Sequence, residues 1–180
     1  MLKRGGWTFL AALCGVAQAH PVDELLQEAY LTLTPGAIRL ELDLAPGSQV
    51  AGAVVRAIDA DADGQLSAAE ARTFAGRVLA QSSVTVGGKA MPWTLNQVIM
   101  PPYQHLLSGN GVVKIYAVTT RPDRAGADTV AYQNRYQPVK SRWMANIFLL
   151  PGADWWYQVS RQQHSSDGQG LTVTYQVARR

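Results

Sequence analysis

Cysteine is nearly absent from these 180 residues, and the only one is Cys14. It lies in an amino-terminal stretch built like a secretory signal. Lys3 and Arg4 form a basic start, Trp7 to Val16 a short apolar run, and Ala17-Gln18-Ala19 a small-x-small cleavage site. Cleavage after Ala19 removes Cys14 with the signal, so the 161 of 180 residues that remain have neither disulfides nor thiol chemistry. Leu13 precedes Cys14 where a lipoprotein signal wants a small residue. The apolar run is too short to span a membrane and no later segment is long enough, so a soluble periplasmic or secreted product is expected.

An excess of charge is also missing. Taking Lys3 and Arg4 from the 16 basic residues leaves 14 against 13 acidic ones. That balance leaves no basic patch for nucleic acid or an anionic membrane surface. Enzyme signatures are absent as well: there is no nucleophile elbow, no His-Glu-x-x-His, no phosphate-binding glycine loop and no nucleotide fingerprint. The expectation is a protein that is not an enzyme.

What is present is one twelve-residue window, Asp59-Ala60-Asp61-Ala62-Asp63-Gly64-Gln65-Leu66-Ser67-Ala68-Ala69-Glu70. It has the spacing of an EF-hand calcium loop. Calcium wants six to eight oxygen ligands at flexible distances. Asp59, Asp61 and Asp63 offer carboxylates at loop positions 1, 3 and 5. Gln65 offers its backbone carbonyl at position 7, Ser67 acts through a water at position 9, and Glu70 closes the site bidentately at position 12. Gly64 supplies the positive φ of the sharp turn, and Leu66 points to the core. Val50, Val54, Val55 and Ile58 repeat at helical spacing before the loop, with Ser48 as the cap. Ala71, Phe74, Val78 and Leu79 do so after it. An ion here either staples a helix pair or works as a switch. The absence of a second loop favours the staple.

Elsewhere the dominant period is two. Ala29 to Thr34 and Ile38 to Leu44 read as strands around Pro35-Gly36. Ser83 to Val86 and Met91 to Leu95 read as a hairpin about Gly87-Gly88. Val112 to Thr119, Met144 to Leu150, Trp156 to Arg161 and Leu171 to Val177 read as further strands, with a polar loop at residues 121–128. The expected fold is mainly β with a helical insertion. It is an antiparallel β-sandwich, a single domain over residues 20–180 with the EF-hand at about 48–81.

Three histidines follow the signal: His20, His105 and His164. A mature amino terminus at His20 would offer an α-amine and a ring nitrogen to copper or nickel, with His105 or His164 completing the set. The alternative is a solvated first residue. In a strand Trp155 and Trp156 point to opposite faces, so one of them reaches the surface. Tyr132 to Pro138 reads as partly exposed strand and turn, a possible contact surface.

The start His20-Pro21-Val22-Asp23-Glu24, the early strands, the loop after the second strand and the segment with Tyr132, Asn134, Arg135 and Tyr136 together resemble a known bacterial family. It is the exported domain found with membrane transporters of the nickel/cobalt-efflux or hydrogenase/urease-accessory type. The resemblance covers most of the processed chain, with the calcium loop as its specific motif. This chain stops at Arg180 without transmembrane helices, so the resemblance implies an accessory role beside a separate membrane transporter or other periplasmic protein, and no transport residues are carried over.

Overall fold

The computed structural model describes residues 22–179. The export signal, Cys14 and His20 lie outside them. Leu25–Thr34 (β1) and Ala37–Pro46 (β2) pair antiparallel across a turn in which Gly36 takes φ +74°. Along β2 the inward residues Ile38, Leu40, Leu42 and Leu44 are at most 1% exposed, while Arg39, Glu41 and Asp43 face outward. Each buried leucine or isoleucine contributes roughly 1.5–3 kcal/mol, which locks the strand's register.

Two helices follow, Ser48–Ile58 (α1) and Ala68–Leu79 (α2). Gly47 caps α1 in an extended conformation with no side-chain bond, so Ser48 is the first helical residue and not the cap expected of it. Ala51, Val54, Val55 and Ile58 of α1 and Ala71, Phe74, Ala75, Val78 and Leu79 of α2 are buried.

The chain continues through Ser82–Val86 (β3), Lys89–Met91 (β4), Thr94–Ile99 (β5), Tyr103–Leu107 (α3), Val113–Thr120 (β6), Gly126–Asn134 (β7), Ser141–Leu149 (β8), Trp155–His164 (β9) and Gly170–Arg179 (β10). The strands form two five-stranded sheets, ordered β5-β6-β2-β1-β8 and β4-β3-β7-β10-β9. The protein is therefore mainly β. One buried cluster takes residues from both sheets and from α1 and α2.

Several expectations are corrected. The β3–β4 hairpin ends at Met91, because Pro92 has no N–H to continue the ladder, and Thr94–Ile99 pairs in the other sheet. Residues 126–128 belong to β7, where Ala127 and Asp128 pair with β10. The strands are not all antiparallel: β8 enters from the second sheet and runs parallel to β1. His105 sits on the short helix α3, which starts after Pro102, a residue whose fixed φ suits a helix entry.

The Tyr132 to Pro138 segment is only partly exposed. Tyr132, Asn134 and Tyr136 are buried, Gln133 is half-buried, and Arg135, Gln137 and Pro138 are exposed. Asn134 Nδ2 donates to Gln27 Oε1 at 2.9 Å, Gln27 Nε2 donates to the Tyr136 carbonyl at 2.8 Å, and the Tyr136 N–H donates to Asn134 Oδ1 at 3.0 Å. This polar brace ties β1 of one sheet to the end of β7 in the other. Trp156 is the exposed member of the tryptophan pair, at 41%.

Candidate metal centre

The α1–α2 connection gathers the acidic side chains. Asp59 closes α1, its N–H donating to the Val55 carbonyl at 2.8 Å, and it is 8% exposed. Its two carboxylate oxygens accept from loop amides, Oδ1 from Asp63 at 3.1 Å and Oδ2 from Gly64 at 3.2 Å. Asp61 Oδ1 accepts from the Asp63 N–H at 3.3 Å, and Asp63 Oδ1 from the Gln65 N–H at 2.8 Å. These bonds wind the backbone around the carboxylates. The winding requires left-handed backbone at two places, Ala62 at φ 58° and Gly64 at φ +78°. Glycine takes that conformation without strain, while alanine at 62 carries about 1–2 kcal/mol.

One carboxylate oxygen from each of Asp59, Asp61 and Asp63 lies within 4.8 Å of the others. Three like charges this close repel in the absence of a cation. The donors are all hard oxygens, a set that suits calcium, magnesium or manganese better than copper or nickel.

Glu70 is placed differently. Its Oε1 accepts from the Ala60 N–H at 2.7 Å, and its Oε2 accepts from the Ser67 N–H at 3.0 Å and hydroxyl at 2.7 Å. Ser67 caps α2 and accepts from the Glu70 N–H at 3.2 Å, so the two form a capping box. The Ser67 hydroxyl first, then the Ser67 and Ala60 amides, hold the Glu70 carboxyl below its ordinary pKa. Glu70 therefore joins the first residue after Asp59 to the first turn of α2, and it is not among the three converging carboxylates. Gln65 turns its side chain to Asp63, with Nε2 to Oδ2 at 3.3 Å. Leu66 is half-buried against the core, as its position required.

The Ala60 amide was not legible as a partner of Glu70, because a backbone N–H leaves no mark in the choice of side chain. Neither described histidine joins a group of three or more metal-ligating side chains. His105 is exposed on α3, and His164 is exposed at the end of β9, its Nε2 2.9 Å from the Ala145 carbonyl oxygen. Among the described residues, Asp59, Asp61 and Asp63 form the only group of three or more metal-ligating side chains. No helix among these residues is long and apolar enough to cross a membrane.

No protein-family model matches the chain, and no curated protein matches it.

Proposed function

We propose that the 59–70 loop is an EF-hand calcium site and that the protein is an exported, non-enzymatic calcium-binding accessory or interaction module. In this reading the fold is a β-sandwich carrying one helix-loop-helix between β2 and β3. The single observation behind it is the convergence of the Asp59, Asp61 and Asp63 carboxylates at loop positions 1, 3 and 5, on a backbone that turns through Gly64 at φ +78°. Gln65 and Ser67 supply the next positions. Glu70 closes the site by exchanging its bonds to Ala60 for bonds to the ion. A cation relieves the repulsion among the three aspartates, so binding and ordering of the loop are linked.

The amino-terminal signal pattern supports the placement in a periplasm. The resemblance in layout supports a partner of the metal-transport class, a membrane transporter or another periplasmic protein. Calorimetric titration with calcium tests the site itself. Glu70→Gln is expected to weaken binding by about tenfold or more, since one neutral amide replaces a bidentate carboxylate. Unchanged affinity in that variant overturns the assignment.

A further inference from the structure

We propose that two copies of this chain join through β8, paired antiparallel about Phe148, so that their first sheets run on into one another. β8 is an edge of the β5-β6-β2-β1-β8 sheet. The Leu25 N–H donates to the Lys140 carbonyl and the Leu150 N–H to the Leu33 carbonyl, both at 2.9 Å. Even-numbered residues of β8 therefore turn their backbone groups to β1, and the odd-numbered Trp143, Ala145, Ile147 and Leu149 turn theirs away from it. The first half of that edge is closed. Gly168 presses so close on the Trp143 carbonyl that a Cβ there would overlap it, and His164 Nε2 lies 2.9 Å from the Ala145 carbonyl oxygen. The second half is open: beside Ile147 and Leu149 there is no further strand among the described residues.

The inner face behind the open half is also uncovered. Val159 of β9 pairs with Tyr175 of β10 and so shares its inward face, yet Val159 is 44% exposed where Tyr175 is 0%. β8 packs against β10 and stops short of covering Val159. A strand added to β8 would lie about 4.8 Å farther out, on the side of β9. On the outward face, Met144 and Phe148 of β8 and Leu150 just beyond it are about half exposed. The other three sheet edges carry features that discourage pairing. β4 has three residues and includes Lys89, β5 lies against α2, and β9 is bulged at Ser160 and carries Arg161. From Trp143 to Ala153 there is no charge at all.

These features select a second copy of the same strand. The open stretch, residues 146–150, is centred on Phe148. Turned about a two-fold axis there, Ile147 of each copy pairs with Leu149 of the other, and four N–H groups find four carbonyls. Phe148 meets its own counterpart in a pair of the close, non-hydrogen-bonded kind. Both strands run out together: Pro151, which has no N–H, ends one strand where the Ala145 carbonyl of the other is already taken by His164. A foreign strand would need this same matched end, whereas a second copy always brings it. The charges that bound the uncharged run, Arg142 (already bonded to Glu24) and Asp154, are of opposite sign. Antiparallel pairing brings the Arg142 end of one copy towards the Asp154 end of the other. On β1 behind it only Glu28 is charged, and it lies opposite Met144, away from the axis. An acyl chain or a bilayer would strip water from the Ile147 and Leu149 amides and return no hydrogen bond.

None of these residues belongs to the 59–70 loop, so the test is independent of calcium. Sedimentation velocity of the protein that begins at His20, over concentrations of about 1–300 µM, is expected to show reversible dimers with a Kd of about 1–100 µM. Phe148→Lys sets two like charges at the axis and should raise that Kd about tenfold or more. Circular dichroism verifies that each variant stays folded. Cross-linking reads the position of the contact. The processed chain has no cysteine, so Phe148→Cys supplies its only thiol. Two Cα atoms in a close antiparallel pair lie about 4.5 Å apart, within reach of a disulfide, and mild oxidation should link the dimer. Met144→Cys, about 27 Å from its counterpart in this register, should stay unlinked. Monomers throughout the concentration range leave the edge to a strand of another protein and overturn the proposal. Unchanged association in folded Phe148→Lys, or equal linking at positions 144 and 148, overturns it as well.

Discussion

Phe74 meets Tyr136 edge-to-face, with ring centroids 5.9 Å apart and planes at 86°. Phe74 lies one turn beyond Glu70 on α2 and is fully buried. Tyr136 is held in turn by Asn134 and Gln27. The helix that carries the loop's last acidic residue in its first turn is thereby fixed to the junction of the two sheets.

Phe74→Ala should cost about 3–5 kcal/mol, the range for truncating a buried aromatic and leaving its cavity. Urea unfolding measures it. A loss below about 1 kcal/mol, the range of surface substitutions, would mean that α2 is not anchored by this contact.

Asn134→Ala removes the donor to Gln27 Oε1 and the acceptor of the Tyr136 N–H, both buried. Two unsatisfied groups predict a destabilisation of about 2–4 kcal/mol. Hydrogen exchange at the Tyr136 amide should accelerate more than at amides in the middle of β2. Uniform acceleration would show that the brace has no local role.

Acid should weaken the outer face of the first sheet. The hydrogen bond from Lys114, then that from Tyr116, holds the Glu41 carboxyl below its ordinary 4.5, against the opposing effect of burial. A carboxyl depressed in the folded state adds stability above its unfolded pKa and loses it as pH falls through the folded value. Stability is therefore expected to decline below pH 4.5. Lys114→Met should flatten that decline, as followed by urea midpoints against pH. An identical profile in the variant would contradict the role given to Lys114.

Local pattern made much of this molecule readable. The alternation of Ile38, Leu40, Leu42 and Leu44 with charged residues could only be a half-buried strand, and Asp59, Asp61, Asp63 and Gly64 have a spacing that few other structures need. The apolar run from Met144 to Leu150 marked a strand but not which of its side chains would be covered. Apolar character signals burial, yet β8 is an edge strand beside β1, and Met144 and Phe148 point outward, 47% and 53% exposed. The parallel pairing of β1 with β8 joins residues more than a hundred positions apart, which no local period encodes. The burial of Asn134 depends on Gln27, a partner equally distant in sequence. Glu70 was legible as a loop residue, but its bonds to the Ala60 and Ser67 amides were not, since backbone donors are common to nearly every residue.

Thermal unfolding of the protein that begins at His20, first with excess calcium and then with chelator, tests the central claim most directly. A ligand that binds only the folded state at a hundredfold excess over its Kd adds about 2.7 kcal/mol. For a domain of this size that is an upward shift of roughly 5–10 °C, reversed by the chelator. This shift, reduced in Glu70→Gln, is the predicted result. An unfolding temperature indifferent to calcium would contradict a site coupled to the fold.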